Sequence, residues 1–539
     1  MNQLQTLDYT VFLFYFIVVA GYGYWIYQRK KSSEASTKDF FLAEGSLTWW
    51  AIGASLIASN ISAEQFIGMS GNGFSMGLAI STYEWMAAAT LIVVAVFFMP
   101  IYLRNKIYTM PQFLNQRYNK TVSLIMAIFW LALYILVNLT SILYLGALAV
   151  SGISGLSFMT CMVGLAVFAI VITLGGMKVI GYTDVIQVFF LVIGGLATTY
   201  LAVNLVSQVF GVDGLATGFR LMQEHHDDHF HMIFKKGDPH YMSLPGLTVL
   251  LGGMWIVNLN YWGCNQYITQ RALGADIKTA RNGILFAAVL KLLMPVIVTL
   301  PGIAAFALYS KGLYQQEMLG EDGLLNPDKA YPVLLSLLPV GLKGLSFAAL
   351  TAAVVASLAG KANSISTIFT LDIFKNYIGK NASEKQLVNI GRWVVVASMV
   401  IAILVSPYMG IEKKGGFQFI QEMTGLLSPG IFASFVLGFF WKRTNSAGAL
   451  FAIVGGFLVA LLMHLNRFPF ADWTTVPFLD RMGWVFLICV AGMVILGYVL
   501  PDEKKGLEVD VAAFKTHRTF TWGAAAVLAT IALLYWYFW

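Results

Sequence analysis

The sequence predicts an all-α polytopic membrane protein with about fourteen transmembrane helices, and three observations carry that prediction. Charged residues are only 11% of the 539, against about 25% in an ordinary soluble domain. The chain is 58% hydrophobic with a mean hydropathy of +0.72, so most of its surface must face lipid rather than water. The apolar residues fall in runs near the ~20 residues that cross a bilayer core, joined by loops too short to hold a soluble domain.

The first run, 8–27, has no basic segment before it and no small-residue cleavage site after it, and reads as a retained helix rather than a signal peptide. The following spans are placed at 51–74, 79–100, 123–150, 156–175, 182–207, 245–267, 283–309, 340–370, 388–408, 417–440, 446–465, 484–500 and 519–539. Cys161, Cys264 and Cys489 all lie in apolar runs, with no zinc spacing and no disulfide framework. The Asn138-Leu139-Thr140 sequon lies inside a span, out of reach of glycosylation.

The net charge of +7 does not point to a nucleic-acid partner, because the basic residues sit in short loops between apolar runs. With the N-terminus outside, twenty-two of the 34 Lys and Arg fall in inward loops, among them Arg29, Lys30, Lys31, Lys38, Arg104, Lys106, Arg117, Arg271, Lys504 and Lys505. Ten, including Lys413 and Lys414, fall outward. This bias predicts both termini outside and an even number of spans, in a plasma (inner) membrane whose lipid bilayer is the chain's main partner. Nothing in the residues calls for an obligatory protein partner.

An ionisable side chain in a span is expensive and is a functional candidate by default. Five stand out: Glu64, Glu84, Asp184, Lys291 and Lys361. The second span, reading Ala58-Ser59-Asn60-Ile61-Ser62-Ala63-Glu64-Gln65, gathers polar and small residues at mid-membrane. A helix that unwinds near Asn60 accounts for this: its freed carbonyls can coordinate a cation and its amides can meet a solute. A tightly packed small-residue interface is the plainer alternative. Hydrogen-bonding and aromatic residues recur in other spans at Tyr83, Glu84, Asn258, Asn260, Tyr261, Trp262, Lys291, Gln418 and Gln421, a set suited to a polar, roughly neutral solute such as a sugar.

The runs Ser59–Gly71 (SNISAEQFIGMSG), Tyr83-Glu84-Trp85-Met86, Tyr182-Thr183-Asp184-Val185-Ile186-Gln187, Tyr261–Arg271 (YWGCNQYITQR) and Gly425–Gly430 (GLLSPG) resemble the sodium/solute symporter family, most of all its bacterial sodium/galactose branch. The resemblance runs over nearly the whole chain. It implies a single transporter domain, 1–539, whose core is an inverted five-plus-five helix repeat with broken first and sixth core helices. Residues 8–50 form an extra helix and loop, 51–207 and 245–440 the two repeats, and 446–539 peripheral helices.

The resemblance implies galactose- or glucose-type sugar transport by alternating access, with sodium as the coupling ion and no other cofactor. The implied substrate contacts are Asn60, Gln65, Glu84, Asn258, Lys291 and Gln421. Met69, Tyr83 and Phe417 form the outer gate, and Tyr261, bonded to Asn60, covers the sugar on the inner side. Asn260 and Ala87 depart from the galactose carrier's Tyr and Ser. The implied sodium ligands are the carbonyls of Ala58, Ile61 and Ala353 with the Ser357 hydroxyl, but Ala356 replaces a second serine and removes one oxygen from a site for a hard cation. Gly360 replaces a common serine, and Lys361 stands where the family has an apolar residue, on the helix face of Ser357.

Two fates follow for Lys361. It acts as a tethered cation, paired with Asp184 or filling the sodium site, so that transport is sodium-independent or proton-coupled; or it reaches cytoplasmic water along its aliphatic stem and sodium coupling stands. The outward loop 208–244, with Glu224-His225-His226-Asp227-Asp228-His229-Phe230-His231, reads as a solvated surface with a divalent-metal site as the alternative. A membrane sugar sensor and a channel remain rival readings; the former lacks a signalling domain and the latter a continuous polar pore. No nucleophile with a base is apparent, so an enzyme is not expected.

Overall fold

The computed structural model describes residues 4–29, 47–320, 323–408, 416–500, 507 and 509–539. Lys30, Lys31, Lys38, Lys413, Lys414, Lys504 and Lys505, used above for orientation, lie outside the described residues. Helix α1 is Thr6–Arg29. Helix α2, Trp49–Asn60, ends where Ile61 turns extended at ψ 111°, and α3 covers 64–76, opening with a wide π-helical stretch over Glu64–Met69. Gly77, at φ +72°, turns the chain sharply, and after a short 3-10 stretch α4 runs over 82–104. Then come α5 (Met110–Arg117), α6 (Lys120–Ser154), α7 (Phe158–Thr173), α8 (Gly176–Val209) and α9 (Leu215–His225). The second half holds α10 (Gly253–Gly263), α11 (Gln266–Leu273), α12 (Ile277–Ser310), α13 (Ala330–Ser336), α14 (Leu342–Ile378) and α15 (Glu384–Tyr408). It ends with α16 (Phe417–Gly425), α17 (Ser428–Phe440), α18 (Ser446–His464), α19 (Phe478–Val499) and α20 (Arg518–Tyr537).

Among the described residues, ten helices are long and apolar enough to cross a membrane, or eleven when α16 and α17, bent by 51°, count as one. The protein is an all-helical, multi-pass membrane protein. The difference from fourteen has a physical source. The region read as one span at 51–74 is two half-helices around a break, and that at 245–267 is divided into Leu247–Leu251, α10 and the start of α11. The region at 156–175 holds only the 16 residues of α7.

Helix ends are set by side-chain caps. Asp276 accepts from the amides of Lys278 and Thr279 at 3.0 Å at the start of α12, and Asn119 accepts from Val122 at 2.9 Å at the start of α6; both satisfy amides that a helix start leaves unpaired. Lipid-facing positions carry exposed Phe14, Ile17, Val167, Trp393 and Leu404, as expected where lipid is the solvent.

The core elements pack through close backbone approach. Helix α12 runs against α2, α3 and α4. A Cβ on Gly73 would stand 2.6 Å from the Thr299 carbonyl, and one on Gly302 would run into the Ser70 carbonyl, so these glycines let the second half-helix lie directly on α12. Asp8 locks α1 to α14: its Oδ1 accepts from the amides of Gly341 (2.7 Å) and Gly344 (3.0 Å), and Asp8 is fully buried. Asp8→Ala is expected to destabilise the protein by about 1–3 kcal/mol, the cost of leaving buried donors unpaired, read as a lower denaturation midpoint in detergent. Asp8→Asn keeps an acceptor and loses less.

The outward loop is solvated at Glu224, His225, Asp227, Asp228 and His231, whereas His229 and Phe230 turn inward. His229 is buried, its Nε2 is 3.1 Å from the Phe74 carbonyl, and its ring stacks on Phe306 at 3.9 Å. Its backbone fills the space a Cβ on Gly77 would occupy. No group of three His, Cys, Asp or Glu able to hold a metal occurs among the described residues. All three cysteines are buried and unpaired with one another.

Candidate functional site

The break between α2 and α3 is shaped by its own side chains. Gln65 Oε1 accepts from the Ser62 amide (3.1 Å) and hydroxyl (3.3 Å), and the Ser62 hydroxyl accepts from the Glu64 amide at 3.1 Å. These bonds replace helical bonds lost at 61–63, so the unwound backbone is held rather than loose. The carbonyls it frees turn toward α14, where the Ser357 hydroxyl lies 3.3 Å from Ala58 O, 3.2 Å from Ser59 O and 3.2 Å from Ile61 O. The Tyr267 hydroxyl also donates to Ser59 O. Ala353 and Ala356 present buried methyl groups on the same helix as Ser357.

Beside the break lies a cavity whose walls include all six expected substrate contacts, Asn60, Gln65, Glu84, Asn258, Lys291 and Gln421. Lys291 from the middle of α12 forms an ion pair with Glu84 at the head of α4 and donates to Asn60 Oδ1. Its ammonium also lies 5.2 Å from the Trp262 ring centroid, a cation–π distance. Both charged side chains are nearly inaccessible, at 1% and 3% exposure.

Aromatic groups close the cavity. Tyr83 and Phe417 meet edge to face, with centroids 5.0 Å apart at 90°. Gly68 makes room for this contact, since a Cβ there would stand 2.8 Å from that of Phe417. Met69 is fully buried in the core and is not part of the cavity wall. On another wall Asn60 Nδ2 donates to the Tyr261 hydroxyl at 3.2 Å.

Lys361 and Asp184 do not meet. Asp184 accepts from Ser55 Oγ at 2.5 Å, and Ser55 in turn accepts from Arg271 Nε at 3.0 Å through the same oxygen. Arg271, by its position beside Ser55, occupies the place of counter-charge to Asp184. Lys361 instead turns to the cavity. Its ammonium donates to Asn138 Oδ1 at 3.0 Å and sits 3.9 Å above the Tyr267 ring. At 4% exposure it does not reach bulk water either. Helix spacing placed Lys361 on the right face; only the packing of α6 and α11 against α14 selected its partner. Asn138, Ser59, Ser62, Glu64 and Asn265 also line the cavity. Of these, Glu64 stands out in the sequence by its charge within a span, whereas Asn138 within α6 reads there only as part of a sequon out of reach of glycosylation.

A family model for the sodium:solute symporter family matches residues 40–456. The chain belongs to the sodium:solute symporter family. It is 47% identical over 552 aligned residues to the sodium/glucose cotransporter of Vibrio parahaemolyticus, covering 100% of this chain and 99% of that protein. It is 34% identical to the human sodium/myo-inositol cotransporter 2, over 87% of this chain and 71% of that one. Among solved structures, a substrate-bound, outward-open sodium-coupled sialic acid symporter matches with a TM-score of 0.78 at 21% identity, covering 93% of this chain and 99% of that one. At that identity the likeness establishes the fold. This family member is a transport protein and not an enzyme.

Proposed function

We propose that the chain is a secondary active transporter that carries a hexose-like sugar of galactose or glucose type together with sodium, by alternating access. The observation that carries this is the convergence of six hydrogen-bonding side chains from six helices, α2, α3, α4, α10, α12 and α16, on one cavity beside the break. A pyranose needs many donors and acceptors and an aromatic face, and this wall offers both. The 47% identity to a sodium/glucose cotransporter over the whole chain supports the same substrate class.

In this reading Asn60, Gln65, Glu84, Asn258, Lys291 and Gln421 hold the sugar hydroxyls. Tyr83 and Phe417 close the outer side, and Tyr261 the inner. Sodium binds the carbonyls of Ala58, Ile61 and Ala353 and the Ser357 hydroxyl. The half-helices at 51–74 and 245–267 count as the broken first and sixth members of two inverted five-helix repeats, 51–207 and 245–440, giving fourteen crossings with both termini outside. Residues 8–50 and 446–539 flank that core in the bacterial inner membrane.

A second reading, sodium-independent or proton-coupled carriage of the same sugar, is favoured by one observation: the Ser357 hydroxyl already lies among the freed carbonyls while position 356 brings only a methyl group. The cation-surrogate role for Lys361 belongs to this reading, but with Asn138 rather than Asp184 as its partner.

The deciding experiment is uptake of labelled galactose and glucose into proteoliposomes under an inward sodium gradient or a matched potassium gradient. Accumulation with sodium alone is expected. Ala356→Ser adds an oxygen ligand and is expected to lower the sodium concentration for half-maximal uptake about tenfold, on the order of 1.4 kcal/mol. Equal uptake in both salts would establish the second reading.

A further inference from the structure

The cavity holds more charge than the six expected contacts require. Lys291 and Glu84 answer one another, and Asn60 is joined to them. At another wall stand Lys361 and Glu64, which no part of the sugar site as described uses. We propose that Glu64 and Lys361 form a second donor–acceptor pair that contacts hydroxyl groups of the carried solute, and that together with Glu84 and Lys291 they select a neutral polyol.

The Lys361 ammonium is fixed. Asn138 Oδ1 takes one N–H at 3.0 Å, and the ring centroids of Tyr267, Tyr134 and Tyr261 lie at 3.9, 5.1 and 5.9 Å. Aromatic faces hold a cation without consuming its directed N–H groups. An ammonium has three donors, and Asn138 is its one hydrogen-bond partner among the described residues.

Glu64 is the complement. Its amide is anchored on Ser62 at 3.1 Å, but its carboxylate accepts no hydrogen bond among the described residues, although the side chain is half-buried and faces the cavity. A carboxylate has about four acceptor sites, and leaving them unfilled away from bulk water is costly. A hydroxyl is both donor and acceptor, so a polyol can donate to Glu64 and accept from Lys361 with neighbouring groups.

The signs at the wall set the solute class. Two carboxylates and two ammonium groups share the cavity, so a charged substituent attracted by one member of a pair meets its opposite close by. A neutral hexose or cyclitol meets no such conflict. The pair thus extends to a second part of the cavity the selectivity against sugar acids and amino sugars that Glu84 and Lys291 begin.

This inference rests on the transport reading, and its test separates the two. Uptake of labelled galactose and myo-inositol, and competition by the monodeoxy galactoses, are measured for the full-length chain and for Glu64→Gln and Lys361→Met in proteoliposomes. Each variant is expected to raise KM about tenfold, the loss of a charge-assisted hydrogen bond, with the maximal rate held within about twofold. At one monodeoxy position Glu64→Gln should add no further loss, because its partner hydroxyl is already gone. Glucuronate and glucosamine, excluded by the wild type, should begin to compete in the matching variant. A KM unchanged in Glu64→Gln, or a loss of equal factor for galactose and every deoxy analogue, would overturn the proposal while leaving the transport reading intact. Glu64→Gln keeps the side-chain size, so it answers the question even where Lys361→Met fails to insert. A wild type that carries neither solute would overturn the transport reading, and this inference with it.

Discussion

Lys291→Met reduces sugar uptake to the level of empty liposomes: that is the expected result with the largest effect. Lys291 ties α12 to α4 through Glu84 and to the break through Asn60. Removing it deletes one expected sugar contact and unpins two others. It also strands the Glu84 carboxylate, at 3% exposure, without its counter-charge. Breaking a buried pair from one side costs about 3–5 kcal/mol, so the yield of folded protein falls as well. Adding Glu84→Gln removes the stranded charge, and the double variant should recover yield and denaturation midpoint without recovering uptake. Recovery of stability but not transport separates the structural part of the pair's role from its part in binding. A double variant that transports at the original KM would remove both residues from the site.

Arg271→Met is expected to be nearly as damaging, for a reason remote from the sugar. Arg271 is almost fully buried and donates from Nε to the Ser55 carbonyl (3.1 Å) and hydroxyl (3.0 Å), and from Nη1 to the Tyr267 carbonyl. Through Ser55 it meets Asp184 on α8. The group thus joins α11, α2 and α8 behind the break and steadies Tyr267, whose hydroxyl holds Ser59 O and whose ring carries Lys361. With a methionine there, the Ser55 and Tyr267 oxygens lose their donor, at about 1–3 kcal/mol for each buried group left unpaired, Asp184 loses the positive charge behind Ser55, and the monodisperse peak in detergent should be lost. Asp184→Asn in the same background should restore the peak. If Arg271→Met alone remains monodisperse with an unchanged midpoint, the network is not what closes this side of the molecule.

Much of this site was legible in residues 58–65. Small and polar side chains packed into mid-span have few explanations in lipid, and a broken helix lining a cavity is among them. Glu84 and Lys291 were legible for the same reason, since a charge deep in an apolar run needs a partner, and each is the other's. Lys361 was legible as an anomaly but not in its role. Spacing of four residues from Ser357 fixes a shared face, whereas the partner depends on which of α6, α8 and α11 presents an acceptor there. Depth along the membrane allowed Asp184; Ser55 and Arg271 had already taken it. Met69 likewise reads as a gate residue by resemblance and lies in the packed core instead of at the cavity wall.

The sequence by itself determined that this protein lives in a bilayer, roughly where the chain crosses it, and that the second span gathers polar and small residues at mid-membrane. Those follow from one-dimensional facts: apolar run length, the cost of charge in lipid and the cost of unpaired backbone. The tertiary structure alone decided which charges pair, and that Glu64 and Lys361 face the same cavity as the expected sugar contacts. These depend on residues more than two hundred positions apart, such as Asn138 with Lys361 or Glu84 with Lys291, brought together where glycine contacts let helices approach closely.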